Sequence, residues 1–131
     1  MKRLINILVF ALLASFSFAQ EEMQVIDSLQ NVMAKQEGVK RVETIAELAQ
    51  FMFNVSFDDC ISIGETAVTE AEKLGDDDLL SWTHWMLGTS FMNHYDFDLA
   101  LEHFDKAIEL LEGKEESEWL MYALDYKGRV E

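Results

Sequence analysis

An internal repeat with a step of 40 residues is the feature that most constrains the fold of this chain. Residues 44–60 align with residues 84–100, and the same step leads from Gly88 to Gly128. Further equivalent pairs are Leu48 and Gly88, Phe51 and Phe91, Met52 and Met92, Phe57 and Phe97, Asp58 and Asp98, and Ala67 and Ala107. Self-similarity at such a period predicts a stack of similar supersecondary units, each of which buries its apolar face against its neighbours.

Apolar residues within each repeat recur at three- and four-residue steps, which predicts helices. The expected helices cover residues 21–36, 39–54, 57–74, 78–93 and 97–112, and a sixth begins near Glu116. Ser56, one of the acids at 76–78, and Asp96 are typical N-cap residues, and Gly75 stands where a left-handed C-cap is expected. The chain contains no proline, so the predicted fold class is all-α, with antiparallel helical hairpins joined by short turns.

The N-terminus has the layout of a secretory signal peptide. Residues 1–3 are a basic start, residues 4–14 are an apolar run, and residues 17–19 are a small-x-small ending. A membrane anchor is the alternative, but Asn6 interrupts the run, which is shorter than the roughly 20 residues that a spanning helix needs. We therefore expect residues 1–19 to be cleaved after Ala19, and the protein to be exported, that is, periplasmic or secreted in a bacterium.

Acidic residues outnumber basic ones by 25 to 10. Removal of residues 1–19 takes Lys2 and Arg3 away and leaves a net charge of about −17. A field of this sign repels phosphate backbones and anionic lipid headgroups. The sequence therefore argues against nucleic acid as a partner and against membrane contact by the repeats, and it favours a protein or peptide partner.

No arrangement of residues in the sequence indicates catalysis. The histidines His84, His94 and His103 lack the i,i+4 spacing of a helical metal site, and there is no phosphate-binding glycine loop or nucleophile motif. Cys60 is the single cysteine, which excludes an internal disulfide; on an apolar helix face such a residue is usually a small buried hydrophobe. We expect no catalytic residues, no metal site and no cofactor.

The second hairpin carries a signature of alternating small and large residues, which consists of Leu87, Gly88, Phe91, Ala100, Phe104 and Ala107. This pattern resembles the tetratricopeptide repeat, in which small residues let two helices approach and aromatic residues fill the gaps. The chain departs from that family at three points. His84 stands at the signature's tryptophan position, the closing proline is missing, and the period of 40 residues exceeds the family's roughly 34.

The resemblance implies a right-handed solenoid over residues 39–131, with repeats at about 39–75 and 78–113 and an incomplete one from 116. Residues 20–38 would then form an N-terminal capping helix. In this family the first helix of each hairpin lines a concave surface that grips segments of partner proteins. Carried over to this chain, the partner-binding residues are Ile45, Ala49, Met52, Trp82, Trp85, Thr89, Met92, Asn93 and Tyr122.

The resemblance implies a non-enzymatic protein–protein interaction scaffold. Trp82 and Trp85 belong either to an apolar groove on its surface or to a core that residues 21–36 or further repeats cover. An alternative function comes from residues 26–29, which resemble the start of exported sensory regions in bacterial histidine kinases. The chain would then be the N-terminal sensory part of a larger membrane-bound protein of signal transduction. We also expect self-association through the last helix, for which the sequence contains no stop signal.

Overall fold

The computed structural model describes the backbone of residues 2–114 and 117–131 and the side chains of residues 11–114 and 117–131. Every regular element in these ranges is an α-helix, so the all-α class is confirmed. The helices are α1 (Lys2–Met33), α2 (Gly38–Met52), α3 (Phe57–Leu74), α4 (Asp77–Asn93), α5 (Phe97–Leu110) and α6 (Glu118–Val130). The expected start of the last helix near Glu116 lies outside the described residues.

Helix α1 belongs to a unit of its own, because the chain divides into residues 1–35 and residues 36–131. The helix continues without interruption through Ala19, the predicted cleavage point, and contains most of the helix expected at 21–36. The side chains of residues 1–10, in the predicted signal peptide, lie outside the described ones. Among the described helices, none combines the length and the apolarity that a membrane crossing requires.

Capping residues fix the boundaries of α3 and α4 as the sequence predicts. Ser56 Oγ accepts a hydrogen bond of 3.3 Å from the backbone N–H of Asp59 at the start of α3, and Gly75 ends that helix with φ +67°. Asp76 then caps α4, since its carboxylate accepts a 3.0 Å hydrogen bond from the N–H of Leu79. Each cap satisfies a backbone group that a helix end leaves without an intrahelical partner.

The expectation that Asp96 caps α5 through its side chain is wrong. Its carboxylate makes no capping hydrogen bond, and the turn between α4 and α5 is closed by the backbone instead. The N–H of Asp96 donates to the carbonyl of Phe91 at 2.9 Å, and the N–H of Tyr95 donates to that of Met92 at 3.0 Å. These two bonds form a Schellman motif, in which Tyr95 takes the left-handed position with φ +68°.

Helices α2 to α6 pack in a regular order. Each contacts its neighbour in the chain, and in addition α2 contacts α4 and α4 contacts α6. Helices α2, α4 and α6 therefore lie side by side as one layer, and α3 and α5 each pack on the helix before and the helix after. Successive helical hairpins with adjacent first helices produce this order.

Glycine allows the closest approaches between these helices. A Cβ atom at Gly88 would lie 2.6 Å from a ring carbon of Phe104, and one at Gly64 would lie 2.5 Å from a methyl carbon of Leu87. In the first hairpin, Leu48 stands at the position equivalent to Gly88, and Gly64 at the position equivalent to Phe104. The first helix of the first hairpin thus carries the large residue and its second helix the small one, which is the reverse of the second hairpin.

The residues of the repeat signature all lie in the interior of residues 36–131. Gly88, Phe91, Ala100 and Phe104 meet where α4 packs on α5. Ala107 is fully buried on the same side of α5, and its carbonyl accepts a 2.9 Å hydrogen bond from Ser81 Oγ. Leu87 packs instead against Gly64 of α3, so the signature describes the contact between the two helices of the second hairpin and part of its contact with the first.

Candidate binding surface

Aromatic side chains from α4 and α6 form a single cluster, the aromatic cluster, which consists of Trp82, Trp85, Trp119, Tyr122 and Tyr126. The ring centroid of Trp119 lies 6.1 Å from that of Trp82 and 5.7 Å from that of Trp85. Trp85 also packs edge-on against Tyr126, with centroids 5.4 Å apart. Aromatic pairs at such distances are attractive beyond the area that they bury, so the aromatic cluster joins α6 to α4.

A groove of about 630 Å³, the main groove, lies between α2 and α6 across the start of α4. Its apolar lining consists of Val39 from α2, Leu79 and Trp82 from α4, and Trp119 from α6. Trp82 and Trp119 are half-buried, because each indole packs in the aromatic cluster and also lines the groove. The main groove thus has an aromatic floor built from two different repeats.

The walls of the main groove are acidic. Its charged lining residues are Lys40, Glu43, Glu47, Asp76 and Asp78. Glu43 and Glu47 lie one helical turn apart on α2, both are exposed, and neither forms an ion pair with a described residue. Four carboxylates against one ammonium group leave an excess of three negative charges around the aromatic floor.

A smaller groove of about 210 Å³ lies along the second half of α4, where that helix faces the end of α2. Phe53, Trp85, Thr89 and Asn93 are among its lining residues. The indole N–H of Trp85 is buried and has no hydrogen-bond acceptor among the described residues. The two grooves follow each other along the layer of α2, α4 and α6.

No family model, curated protein or solved structure matches this chain.

The three partner-binding residues expected on α2 are buried. Ile45 and Ala49 are each 1% exposed and Met52 is 8% exposed, so the expectation that they face a partner is wrong. They lie within the contacts that α2 makes with α3 and α4. The accessible stripe of α2 is formed by Lys40, Glu43 and Glu47 instead.

The expected residues on α4 and α6 are accessible to different degrees. Trp82, Trp85 and Thr89 are half-buried and line one of the two grooves, and Asn93 is exposed beside the smaller one. Tyr122 is 41% exposed at the edge of the aromatic cluster. Met92, also half-buried, packs against the interior formed by Phe91, Ala100 and Phe104, and it lines neither groove.

Sequence reasoning missed Trp119 and the acidic stripe of α2. Trp119, Tyr122 and Tyr126 follow the spacing of one helix face, and Trp119 is 40 residues beyond Leu79. Both signals were available in the sequence. The charged positions 40, 43 and 47 likewise follow helical spacing, which is typical of an exposed stripe.

Two histidines meet in the contact between α4 and α5. Nδ1 of His84 lies 3.1 Å from Nδ1 of His103, so one ring donates a hydrogen bond and the other accepts it. The pKa of both imidazoles is lowered to about 4, chiefly by burial and to a smaller extent by nearby positive charge such as that of Lys106. The pair is therefore neutral near pH 7, when it forms a hydrogen bond between the helices of the second hairpin.

One face of α6 is open. Met121 is 69% exposed and Leu124 is 52% exposed. Apart from the backbone of α6 itself, no atom of the described residues lies within 4 Å of a Cβ placed at Gly128. The residues 40 positions earlier than Leu124 and Gly128 are His84 and Gly88, which pack on α5. This face of α6 thus has the shape of a helix-packing face, without a helix on it in the described part of the chain.

Proposed function

We propose that this protein is a non-enzymatic interaction module of the tetratricopeptide type, which binds a peptide or an extended protein segment along the layer of α2, α4 and α6. One observation carries the proposal: the main groove, in which Trp82 and Trp119 from different repeats form one aromatic floor. Aromatic side chains supply much of the free energy at protein interfaces. A groove with such a floor suits a helix or an extended segment.

The tetratricopeptide arrangement is supported by the repeat and by its packing. The 40-residue step aligns the pair α2–α3 with the pair α4–α5. The approach of Gly88 to Phe104 is the small-on-aromatic contact that the signature requires. The exchange of Leu48 and Gly64 keeps one large and one small residue at the equivalent positions of the first hairpin.

Export is part of the same proposal. The layout of residues 1–19 supports cleavage after Ala19, which would make Gln20 the first residue of the mature protein. N-terminal sequencing of the protein recovered from the periplasm or the culture medium tests this. A product that keeps Met1 and stays in the cytoplasm would refute it.

Binding is tested with a substitution that fills the main groove and leaves the aromatic cluster unchanged. Truncation of Trp82 or Trp119 would also weaken the contact of α6 with α4, so these residues are poor probes. Val39 lines the main groove and is 45% exposed, whereas Val55 is 44% exposed in the turn between α2 and α3 and lines neither groove. Val39→Trp and Val55→Trp therefore add the same bulk at a groove site and at a control site.

The assay is a random-peptide display selection against the purified wild-type protein. Selected peptides should bind the wild type and Val55→Trp equally, and Val39→Trp at least about ten-fold more weakly, because the added indole fills the groove. Circular dichroism melting checks that both variants fold. Failure to enrich any peptide, or equal binding by all three proteins, would contradict the proposal.

A further inference from the structure

We propose that the main groove takes a cationic peptide segment, in which an arginine or lysine is close to an apolar side chain. This inference rests on the proposed function, because it names the chemistry of the partner for the same groove.

The negative charge of the groove favours an occupant with positive charge. The walls hold Glu43, Glu47, Asp76 and Asp78 and only one cation, Lys40. The whole chain carries a net charge of −15, so its long-range field has the same sign as the groove. Such a field attracts basic segments, and it repels acidic ones at every distance within screening range.

Glu43 and Glu47 line the main groove one helical turn apart, and neither forms an ion pair with a described residue. Some acids outside the groove do have a cation beside them: Lys106 pairs with Glu102 at 2.7 Å, and Arg129 pairs with Asp125 at 2.7 Å. Like charges at i,i+4 on one helix repel each other. A cation brought by a partner would relieve this repulsion and supply the ion pairs that the described residues do not.

The aromatic floor suits the side chain that carries the cation. Arginine and lysine have long apolar stems that pack on indole, and their charged heads are attracted to its face. The chain contains such a contact, since the guanidinium of Arg129 lies 4.8 Å from the ring centroid of Tyr126. In the main groove, a guanidinium over Trp82 or Trp119 would lie between acidic walls that can accept its hydrogen bonds.

A metal ion fits this groove less well than a peptide. No three potential ligands of the histidine, cysteine or carboxylate type converge in the described part of the chain. The volume of about 630 Å³ also matches a segment with several side chains rather than one ion.

The test uses three fluorescein-labelled peptides of about twelve residues, and it measures fluorescence anisotropy. The first peptide alternates arginine and leucine within a glycine–serine background. The second replaces arginine by glutamate, and the third replaces leucine by serine. We expect the first to bind at least about ten-fold more tightly than the other two, and its affinity to fall as salt screens the ion pairs.

Matched variants separate the effect of the groove charges on binding from the effect of the protein's overall charge. Glu43→Gln with Glu47→Gln removes two charges from the groove, and Glu65→Gln with Glu72→Gln removes two exposed charges from α3. The first pair should weaken the arginine–leucine peptide about ten-fold, and the second less than about two-fold. Equal weakening by both pairs would mean unspecific attraction to an acidic protein, and it would overturn the inference.

The outcomes also separate this inference from the proposed function. If Val39→Trp blocks peptide binding but the glutamate peptide binds as well as the arginine peptide, the groove is a peptide site and the cationic inference is wrong. If Val39→Trp leaves the binding of every peptide unchanged, the main groove is not the site and the proposed function fails.

Discussion

Acidification should destabilise this protein through the hydrogen bond between His84 and His103. The pKa of each imidazole is lowered from 6.5 to about 4 in the folded chain, first by burial. Between about pH 4 and pH 6.5, the unfolded chain therefore binds protons at these two histidines and the folded chain does not. The stability that depends on these two groups is complete above about pH 6.5, and it is lost as the pH falls towards about 4.

The magnitude follows from the two pKa values. At about pH 5, a histidine whose pKa falls from 6.5 to about 4 destabilises the fold by about 2 kcal/mol relative to neutral pH. Both histidines together give about 4 kcal/mol, the sum of the two contributions. Protonation of both rings would also place two donors opposite each other across 3.1 Å and remove the hydrogen bond. This is a large share of the roughly 5–15 kcal/mol that stabilises a typical domain.

The first hairpin supplies the control substitutions. Thr44 and Ile63 stand at the positions equivalent to His84 and His103, so the double variant His84→Thr with His103→Ile uses residues that this packing already accommodates. Urea denaturation of both proteins, at about pH 7.5 and about pH 5, measures the loss. The wild-type midpoint should fall by about 2 M more than that of the variant. Equal losses in the two proteins would refute the reasoning, since carboxylate titration is common to both.

Three further predictions concern packing, a turn and the open face of α6. Gly88→Ala should lower the free energy of unfolding, measured by chemical denaturation, by about 1–2 kcal/mol, because its Cβ would meet the fully buried Phe104. Gly128→Ala should instead raise it by up to about 1 kcal/mol, because the added Cβ lies in open space and alanine favours a helix more than glycine does. Tyr95→Gly should raise the melting temperature, because glycine relieves about 1 kcal/mol of strain at φ +68°; an unchanged melting temperature would contradict this. Leu124→Glu should abolish self-association in sedimentation velocity, and it should leave the melting temperature unchanged at concentrations where the wild type is monomeric; self-association equal to that of the wild type would exclude this face.

The all-helical class could be predicted from the sequence because helical spacing and most of the helix-end signals agreed with each other. Helical spacing, the cap at Ser56 and the left-handed Gly75 specify α3 at the residues where it is found. The side-chain cap expected at Asp96 is wrong, since its carboxylate makes no capping hydrogen bond. The end of α4 is also unusual, because Tyr95 takes the left-handed position that glycine usually takes.

The residues expected to bind a partner are accessible on much of α4 but buried on α2, for one physical reason. Those on α2 stand 40 positions before those on α4, so both helices would have to turn equivalent faces outward. Ile45 and Ala49 are the apolar side chains that α2 must bury, whereas Glu43 and Glu47 cannot be buried without partners. The local pattern of α2 was therefore the better guide than the repeat.

The position of Trp119 makes the main groove depend on the docking of α6. That helix is held on α4 by the aromatic cluster and on α5 by the ion pair between Lys127 and Asp105, at 2.8 Å. Part of the groove floor disappears whenever α6 leaves α4, so the apparent affinity of any occupant scales with the docked fraction. By linkage, an occupant that contacts both Trp82 and Trp119 must also stabilise the docked helix. Binding in the groove and docking of α6 on α4 are therefore thermodynamically coupled. A substitution in the aromatic cluster should change both the affinity for the occupant and the stability of the docked helix.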